Sequence, residues 1–183
     1  MAVNYDEIEA SPVWGPEIGR LYMEASPFIT SLARIAYRGM AIQVRRQFAE
    51  VVSEVRVSFQ DEDPYADASE MFADVRRGRL AIYRTSPNQS HPLLSDGEND
   101  MFRAVHDYYG HFGSGRDFSR HGEEAAWVRH SGMFSGLARR AMTSETRGQS
   151  SAFVWINGGR EFPEQKAVLL PDWVSRVPEQ WSR

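Results

Sequence analysis

Four of the five histidines in this sequence fall between Met101 and Glu145, a stretch that also holds several acidic residues. Imidazole nitrogens and carboxylate oxygens are common ligands of divalent metals. The chain contains no cysteine. Disulfides, thiolate zinc sites and cysteine nucleophiles are therefore excluded, and any metal must be bound through nitrogen and oxygen.

Two histidines in this stretch are candidates for one metal site. A helix predicted to begin at Asn99 or Asp100 places His106 on its apolar, buried face. His111 follows five residues later, about 140° away around an ideal α-helix, so both imidazoles cannot face one ion within a regular helix. Gly110 could end the helix in the left-handed conformation and let His111 turn back. We therefore predict that the two histidines converge across a helix end.

Glu145 is the candidate third ligand. It continues the apolar stripe of a helix predicted over residues 133–146, four residues after Ala141 and three after Met142. A carboxylate on a buried stripe is costly unless a cation or a metal pairs with it. Pairing with Arg147, or an early helix end that exposes Glu145, are the alternatives.

The set His106, His111 and Glu145 matches the facial triad of non-haem Fe(II) oxygenases, which leaves coordination positions open. Catalytic zinc uses the same ligands, and spacing does not separate the two metals. Other ionisable residues nearby could hydrogen-bond to the ligands, bind a second metal or face solvent. These are Glu123, Glu124 and His130.

The elements that must position these residues are mainly helical. A helix is predicted over residues 27–52, with a break at Gly39. Alternating apolar residues predict a strand over 55–59, LAIYR (80–84) predicts a second, and a short helix ending at Gly78 joins them as a crossover unit. The apolar residues expected in the core from the first helix are Phe28, Leu32, Ile35, Ala36, Ile42, Phe48, Val51 and Val52.

The sequence therefore predicts an α+β fold, mainly α-helical with a small two-stranded sheet, in a single domain over residues 1–183. Residues 1–26 are expected to form a surface arm. Near the other end we expect a turn at Gly158–Gly159 and a helix over FPEQKAVLL (162–170). Trp173 and Trp181 are expected to fold back onto the body.

Composition limits the partners. The net charge of −4 argues against a phosphate-binding surface over the whole protein, although a local basic groove, and hence nucleic acid, stays open. The sequence has no run of about 18 apolar residues and begins with an acidic stretch. These features predict no membrane partner, no signal peptide and a cytoplasmic location.

The run RLAIYRT (79–85), followed by ENDMFRAVHDYYGHF (98–112), resembles the core of the pterin-dependent aromatic amino acid hydroxylases. The family's His-Asp/Glu-x-x-Gly-His motif matches residues 106–111, and its third iron ligand matches Glu145. The resemblance covers roughly residues 79–148. It implies Fe(II), O₂ and a tetrahydropterin. The central block is also similar to short proteins from phage genomes, which implies a phage setting.

Candidate substrate-binding residues come from two sources. The resemblance makes Arg84 the nearest counterpart of the family's carboxylate-binding arginine. From the residues themselves, Arg147 could bind a substrate anion or satisfy a carboxylate, and Tyr109 could line a pocket or pack in the core.

The sequence thus favours a mononuclear non-haem Fe(II) monooxygenase that hydroxylates a small aromatic or nucleobase-like substrate. One alternative is a zinc or manganese hydrolase, because Asp107 beside His106 is similar to the His-Asp dyad of metal phosphohydrolases, with His91 as a further ligand. The other is a non-catalytic phage accessory protein in which the metal only stabilises the fold.

Overall fold

The fold is a set of packed helices with one small sheet, and the computed structural model describes residues 3–85 and 90–181, apart from the side chain of Gln180. The regular elements are α1 (Trp14–Glu24), α2 (Ser31–Glu54), β1 (Arg56–Gln60), α3 (Ala68–Arg76), β2 (Arg79–Tyr83), α4 (Asp96–Val105), α5 (Arg120–Ser131), α6 (Gly136–Thr143) and α7 (Gln149–Ser151). Three π-helical segments extend them, at His106–Phe112, Ser144–Gly148 and Ala152–Ile156. Short 3₁₀ turns lie at Tyr5–Glu7, Asp172–Ser175 and Glu179–Trp181. Within the described residues, no helix has the length and apolar character that crossing a membrane requires.

The small sheet and its crossover are confirmed. Strands β1 and β2 pair in parallel, with Val57 opposite Leu80, and α3 connects them. Parallel neighbours need such a crossover because a tight turn can only join antiparallel strands. Gly78 follows α3 with a φ of +75°, a conformation that costs glycine little, so the chain reverses directly into β2.

Helix α2 differs from its prediction. It is continuous through Gly39, and Phe28 and Ile35 are 77% and 61% exposed. The buried face consists instead of Ala33, Ala36, Tyr37, Met40, Ala41, Val44, Gln47 and Val51. This face packs against α4 and α6, and a Cβ at Gly39 would lie 3.8 Å from that of Ala138. One interior glycine costs about 1 kcal/mol, which the packing of a 24-residue helix outweighs.

Helix α4 begins earlier than predicted because a capping box defines its start. The Ser95 side chain accepts a hydrogen bond from the Glu98 backbone, and the Glu98 carboxylate accepts one from the Ser95 backbone. The pair satisfies two donors at the helix N-terminus.

The two ends of the chain pack together, so the predicted surface arm is wrong. Helix α1 buries Ile18 and Tyr22 against Val168 and Leu170 of the C-terminal segment. Trp173 does fold back as expected, with its ring 5.4 Å from that of Trp14, and Trp181 is partly buried against the main core. Gly158 and Gly159 both have positive φ and form the predicted turn.

The predicted helix over residues 162–170 is also wrong, because this segment is irregular. Its backbone is hydrogen-bonded to side chains from other elements. The Tyr22 hydroxyl donates to the Glu164 carbonyl at 3.0 Å, and Arg140 donates to the Leu170 carbonyl at 2.9 Å. Tertiary partners thus replace the hydrogen bonds that a helix would have supplied.

Candidate metal centre

A π-helical turn brings the two histidines of the motif together. Helix α4 continues without a break into the segment His106–Phe112. Residues five apart are hydrogen-bonded across one turn of a π-helix, so His106 and His111 share a face. The prediction that Gly110 ends the helix in a left-handed conformation is wrong, because its φ is not positive. Gly110 instead leaves space, since a Cβ there would lie 3.1 Å from His106 Nδ1.

Glu123 of α5, and not Glu145, supplies the carboxylate of this cluster. Its Oε1 lies 3.4 Å from His111 Nε2 and its Oε2 lies 3.8 Å from His106 Nε2. One ligand atom from each of the three residues lies within 4.8 Å of the others. Ligands bonded at about 2.1 Å are roughly 3.0–3.4 Å apart, so a modest inward movement would suit a divalent metal.

The backbone orients His111 for this role. Its Nδ1 lies 3.1 Å from the Arg116 carbonyl oxygen, which can only accept a hydrogen bond. The Nδ1–H therefore donates to that carbonyl, and Nε2 faces Glu123. In metal sites the ring nitrogen that does not bind the ion usually donates such a hydrogen bond, which fixes the orientation of the imidazole.

A longer hydrogen-bonded chain orients His106. The Gln47 amide nitrogen donates to the Met133 carbonyl at 3.4 Å, so its oxygen accepts from His130 Nε2–H at 2.8 Å. A neutral His130 then has an accepting Nδ1, and His106 Nδ1–H donates to it at 3.3 Å. Burial lowers the pKa of His130 well below its ordinary value, which keeps this ring neutral. The Nε2 lone pair of His106 consequently points toward the site.

Without a metal, the cluster compensates its own charges. Burial opposes the charged form of His111, but the Glu123 carboxylate outweighs burial and raises the pKa of His111 to about 9. Burial likewise opposes ionisation of Glu123, but the neighbouring histidines lower its pKa well below the ordinary value. The pKa of Asp107 is raised, chiefly by burial.

The cluster opens into a cavity of about 470 Å³, with His106, Asp107 and Glu123 in its wall. This volume suits a small organic molecule. An adjoining cavity of about 890 Å³ shares Phe102, Arg103 and Glu145 with it. Aromatic rings form much of the wall of the smaller cavity, namely Tyr65, Tyr83, Phe102, Phe118, Phe153 and Phe162.

Glu145 occupies a separate position on the same cavity. It lies in the π segment Ser144–Gly148 and is 8% exposed. The Tyr37 hydroxyl donates to Oε1, and Gln149 donates to Oε2 at 2.5 Å. The buried location of Glu145 agrees with its apolar stripe, but its partners come from α2 and α7 and not from the two histidines.

The predicted substrate-binding residues lie elsewhere, since none of the three is among the described residues that line the 470 Å³ cavity. Arg147 is buried, donates from Nε to Glu124 at 2.9 Å and lies over the Trp127 ring. Arg84 is exposed and pairs with Asp61, and the Tyr109 hydroxyl donates to Glu50 at 3.0 Å. Three charged residues that line the cavity were not predicted from the sequence, namely Asp63, Arg103 and Arg120.

A signal for Glu123 was present in the run GEEAAWVRH. Helix α5 buries eight of its twelve residues, so it offers little solvated face. An acidic residue at the start of this mostly buried helix indicated a carboxylate at the edge of the core, and Glu123 is half-buried there.

Comparisons with protein-family models, with curated proteins and with solved structures find no match to this chain. The resemblance to the pterin-dependent hydroxylases therefore stays a prediction, and the ligand set of the cluster departs from it in the carboxylate.

Proposed function

We propose that this protein is a mononuclear non-haem Fe(II) monooxygenase that hydroxylates a small aromatic or nucleobase-like substrate. The observation that carries the proposal is the convergence of one ligand atom each from His106, His111 and Glu123 within 4.8 Å, beside an aromatic-lined cavity. Two imidazoles and one carboxylate are the facial triad of such enzymes.

The residues present fit this metal. Both imidazoles donate through Nδ1 to the protein, so both Nε2 lone pairs can bind the ion, and the nearby carboxylate is ionised. Bound Fe(II) would supply activation of O₂. One oxygen atom would enter a substrate C–H bond, and the other would leave as water with two electrons and two protons from a reductant of the tetrahydropterin class.

The protein's own groups would hold and shield the substrate. The aromatic rings of Phe102, Phe118 and Phe162 give the cavity an apolar wall on which a flat ring can pack. Loading the metal also requires His111 to lose its proton, because Nε2 must offer a lone pair.

A second candidate is a hydrolase that uses zinc or manganese. The Asp107 carboxyl lines the cavity beside His106, and its raised pKa suits a general base for a metal-activated water. The predicted further ligand of that class, His91, lies against Glu145 and not against His106.

Metal analysis after anaerobic purification tests the proposal. We expect about one iron per chain in the wild type and less than a tenth of that in Glu123→Gln. Glu145→Gln is the matched control, a buried carboxylate on the same cavity, and should keep its iron.

The iron-loaded protein should consume O₂ in step with substrate and a tetrahydropterin. Stoichiometric zinc that iron cannot replace with a gain of activity would favour the hydrolase. Full iron in Glu123→Gln, with loss in Glu145→Gln, would contradict the assigned ligand set.

A further inference from the structure

Glu145 is a buried carboxylate whose contacts in the described chain are with neutral groups. Its oxygens accept from the Tyr37 hydroxyl and the Gln149 amide. The one basic side chain within ion-pair distance of Glu145, within residues 3–85 and 90–181, is His91. A buried charge is normally paired with a cation or bound to a metal, so this arrangement needs a reason.

The His91 ring is itself neutral. Its Nδ1 accepts hydrogen bonds from the backbone N–H groups of Leu93 at 3.0 Å and Leu94 at 2.9 Å, so the ring proton is on Nε2. Nε2 lies 3.3 Å from Glu145 Oε1 but without hydrogen-bonding geometry, and it is a buried polar atom with no partner. No described group therefore compensates the charge of Glu145.

The cavity around Glu145 favours a cation. Glu145 lines both adjoining cavities, with Phe102 and Phe162 beside it. Among the described residues, the charged ones that line the 470 Å³ cavity are four acidic (Asp63, Asp107, Glu123, Glu145) and two arginines (Arg103, Arg120). Arg103 donates to the Tyr83 carbonyl and Arg120 lies over the Trp155 ring, and neither is within ion-pair distance of Glu145, so the acidic side chains of this wall outnumber its arginines by two. Like-signed charges on a low-dielectric wall attract the opposite ion, and aromatic rings stabilise it further.

We propose that this cavity binds a flat aromatic ligand carrying a cationic nitrogen, and that Glu145 pairs with that nitrogen. The ligand class covers aromatic amines, amidines and protonated heterocycles. The inference rests on the proposed function only where it treats this ligand as the substrate of the metal centre. Binding at Glu145 needs no metal.

Three isosteric probes test the charge preference: benzamidine (cationic), benzamide (neutral) and benzoate (anionic). Calorimetric titration of the metal-free full chain at pH 7 should give a Kd for benzamidine at least tenfold below that for benzamide, with no saturable binding of benzoate. Glu145→Gln should abolish the preference, and Glu145→Asp should weaken it while keeping its sign.

Glu164→Gln is the matched control, because this exposed carboxylate lines only the larger cavity. It should leave the benzamidine preference within twofold of wild type. Tightest binding of benzoate, equal binding of all three probes, or an unchanged preference in Glu145→Gln would each overturn the proposal.

The same titration on Glu123→Gln separates this inference from the proposed function. That variant should lose iron yet still prefer benzamidine over benzamide. An iron-free wild type with an intact benzamidine preference would defeat the metal enzyme and leave the cation site standing.

Discussion

Two parts of the 470 Å³ cavity, which we call the metal end (the cluster of His106, His111 and Glu123) and the Glu145 end, hold charge in opposite ways. At one end His106, His111 and Glu123 balance one another, and hydrogen bonds on the far side of each ring orient them. At the other end Glu145 is surrounded by neutral donors. The first arrangement keeps the metal-free protein stable, whereas the second leaves a negative charge that a bound ligand can neutralise. Burial of a carboxylate therefore does not by itself identify a metal ligand.

The largest expected effect on stability comes from removing the cation that pairs with Glu124, another buried carboxylate. Glu124 is paired with Arg147, which also donates to the Val174 carbonyl at 2.8 Å. Arg147→Met should destabilise the protein by about 3–5 kcal/mol, because it leaves Glu124 buried without a cation. Urea unfolding at pH 7 measures this. Adding Glu124→Leu should recover much of the loss; a single-variant loss below about 1 kcal/mol would contradict the structural role of Arg147.

The two cavity carboxylates should respond to neutralisation with opposite signs in the metal-free protein. Glu123→Gln removes the partner that keeps His111 charged, so it should cost roughly 2–3 kcal/mol at pH 7. Glu145→Gln removes a charge that lacks a described cation, so it should raise stability by about 1 kcal/mol. Thermal and urea unfolding of both variants provide the comparison. A loss of stability in Glu145→Gln would mean that a cation already pairs with it.

The chain that orients His106 should matter only at the metal end. Gln47→Leu removes the acceptor for His130 Nε2–H and should weaken iron or zinc binding about 10–100-fold. Gln47→Glu retains an acceptor oxygen and is the matched control. Competition with a metal-chelating dye measures the affinity. Equal affinity in both variants would show that the chain does not set the orientation of His106.

The smallest expected effects are the changes of stability and of metal affinity with pH, which arise at the metal end. The pKa of His111 is raised to about 9 in the folded protein, so its stabilising contribution is complete below about 6.5, its unfolded value, and is lost as pH rises to about 9. Metal binding displaces the same proton, so affinity should rise up to about tenfold per pH unit between pH 7 and 9. Titrations at several pH values test this, and His111→Asn should flatten the stability profile. A flat profile in the wild type would contradict the His111–Glu123 ion pair.

Short-range patterns identified much of the fold. The alternation in β1 and β2, the helix between them and Gly78 each predict local structure that the chain adopts. The sequence predicted the ends of helix α2 to within a few residues, but it did not predict which face of the helix is buried. Its apolar residues occur on more than one side of the helix, and packing against α4 and α6 buries only the side that carries Ala36, Met40 and Val44.

The residues of the candidate site likewise fall into those that local sequence patterns identified and those that only tertiary packing brought together. The sequence by itself determined that His106 and His111 are candidate ligands and that Glu145 is buried, because residue types and local periodicity carry that information. Tertiary structure decided which carboxylate joins the histidines. A π-helical turn, which spacing in an ideal α-helix does not anticipate, rotates His111 onto the face of His106. The packing of α5 then brings Glu123 to that face, while Tyr37 and Gln149 hold Glu145 apart. Contacts between elements that are distant in sequence depend on how whole helices pack, so local sequence patterns do not predict them.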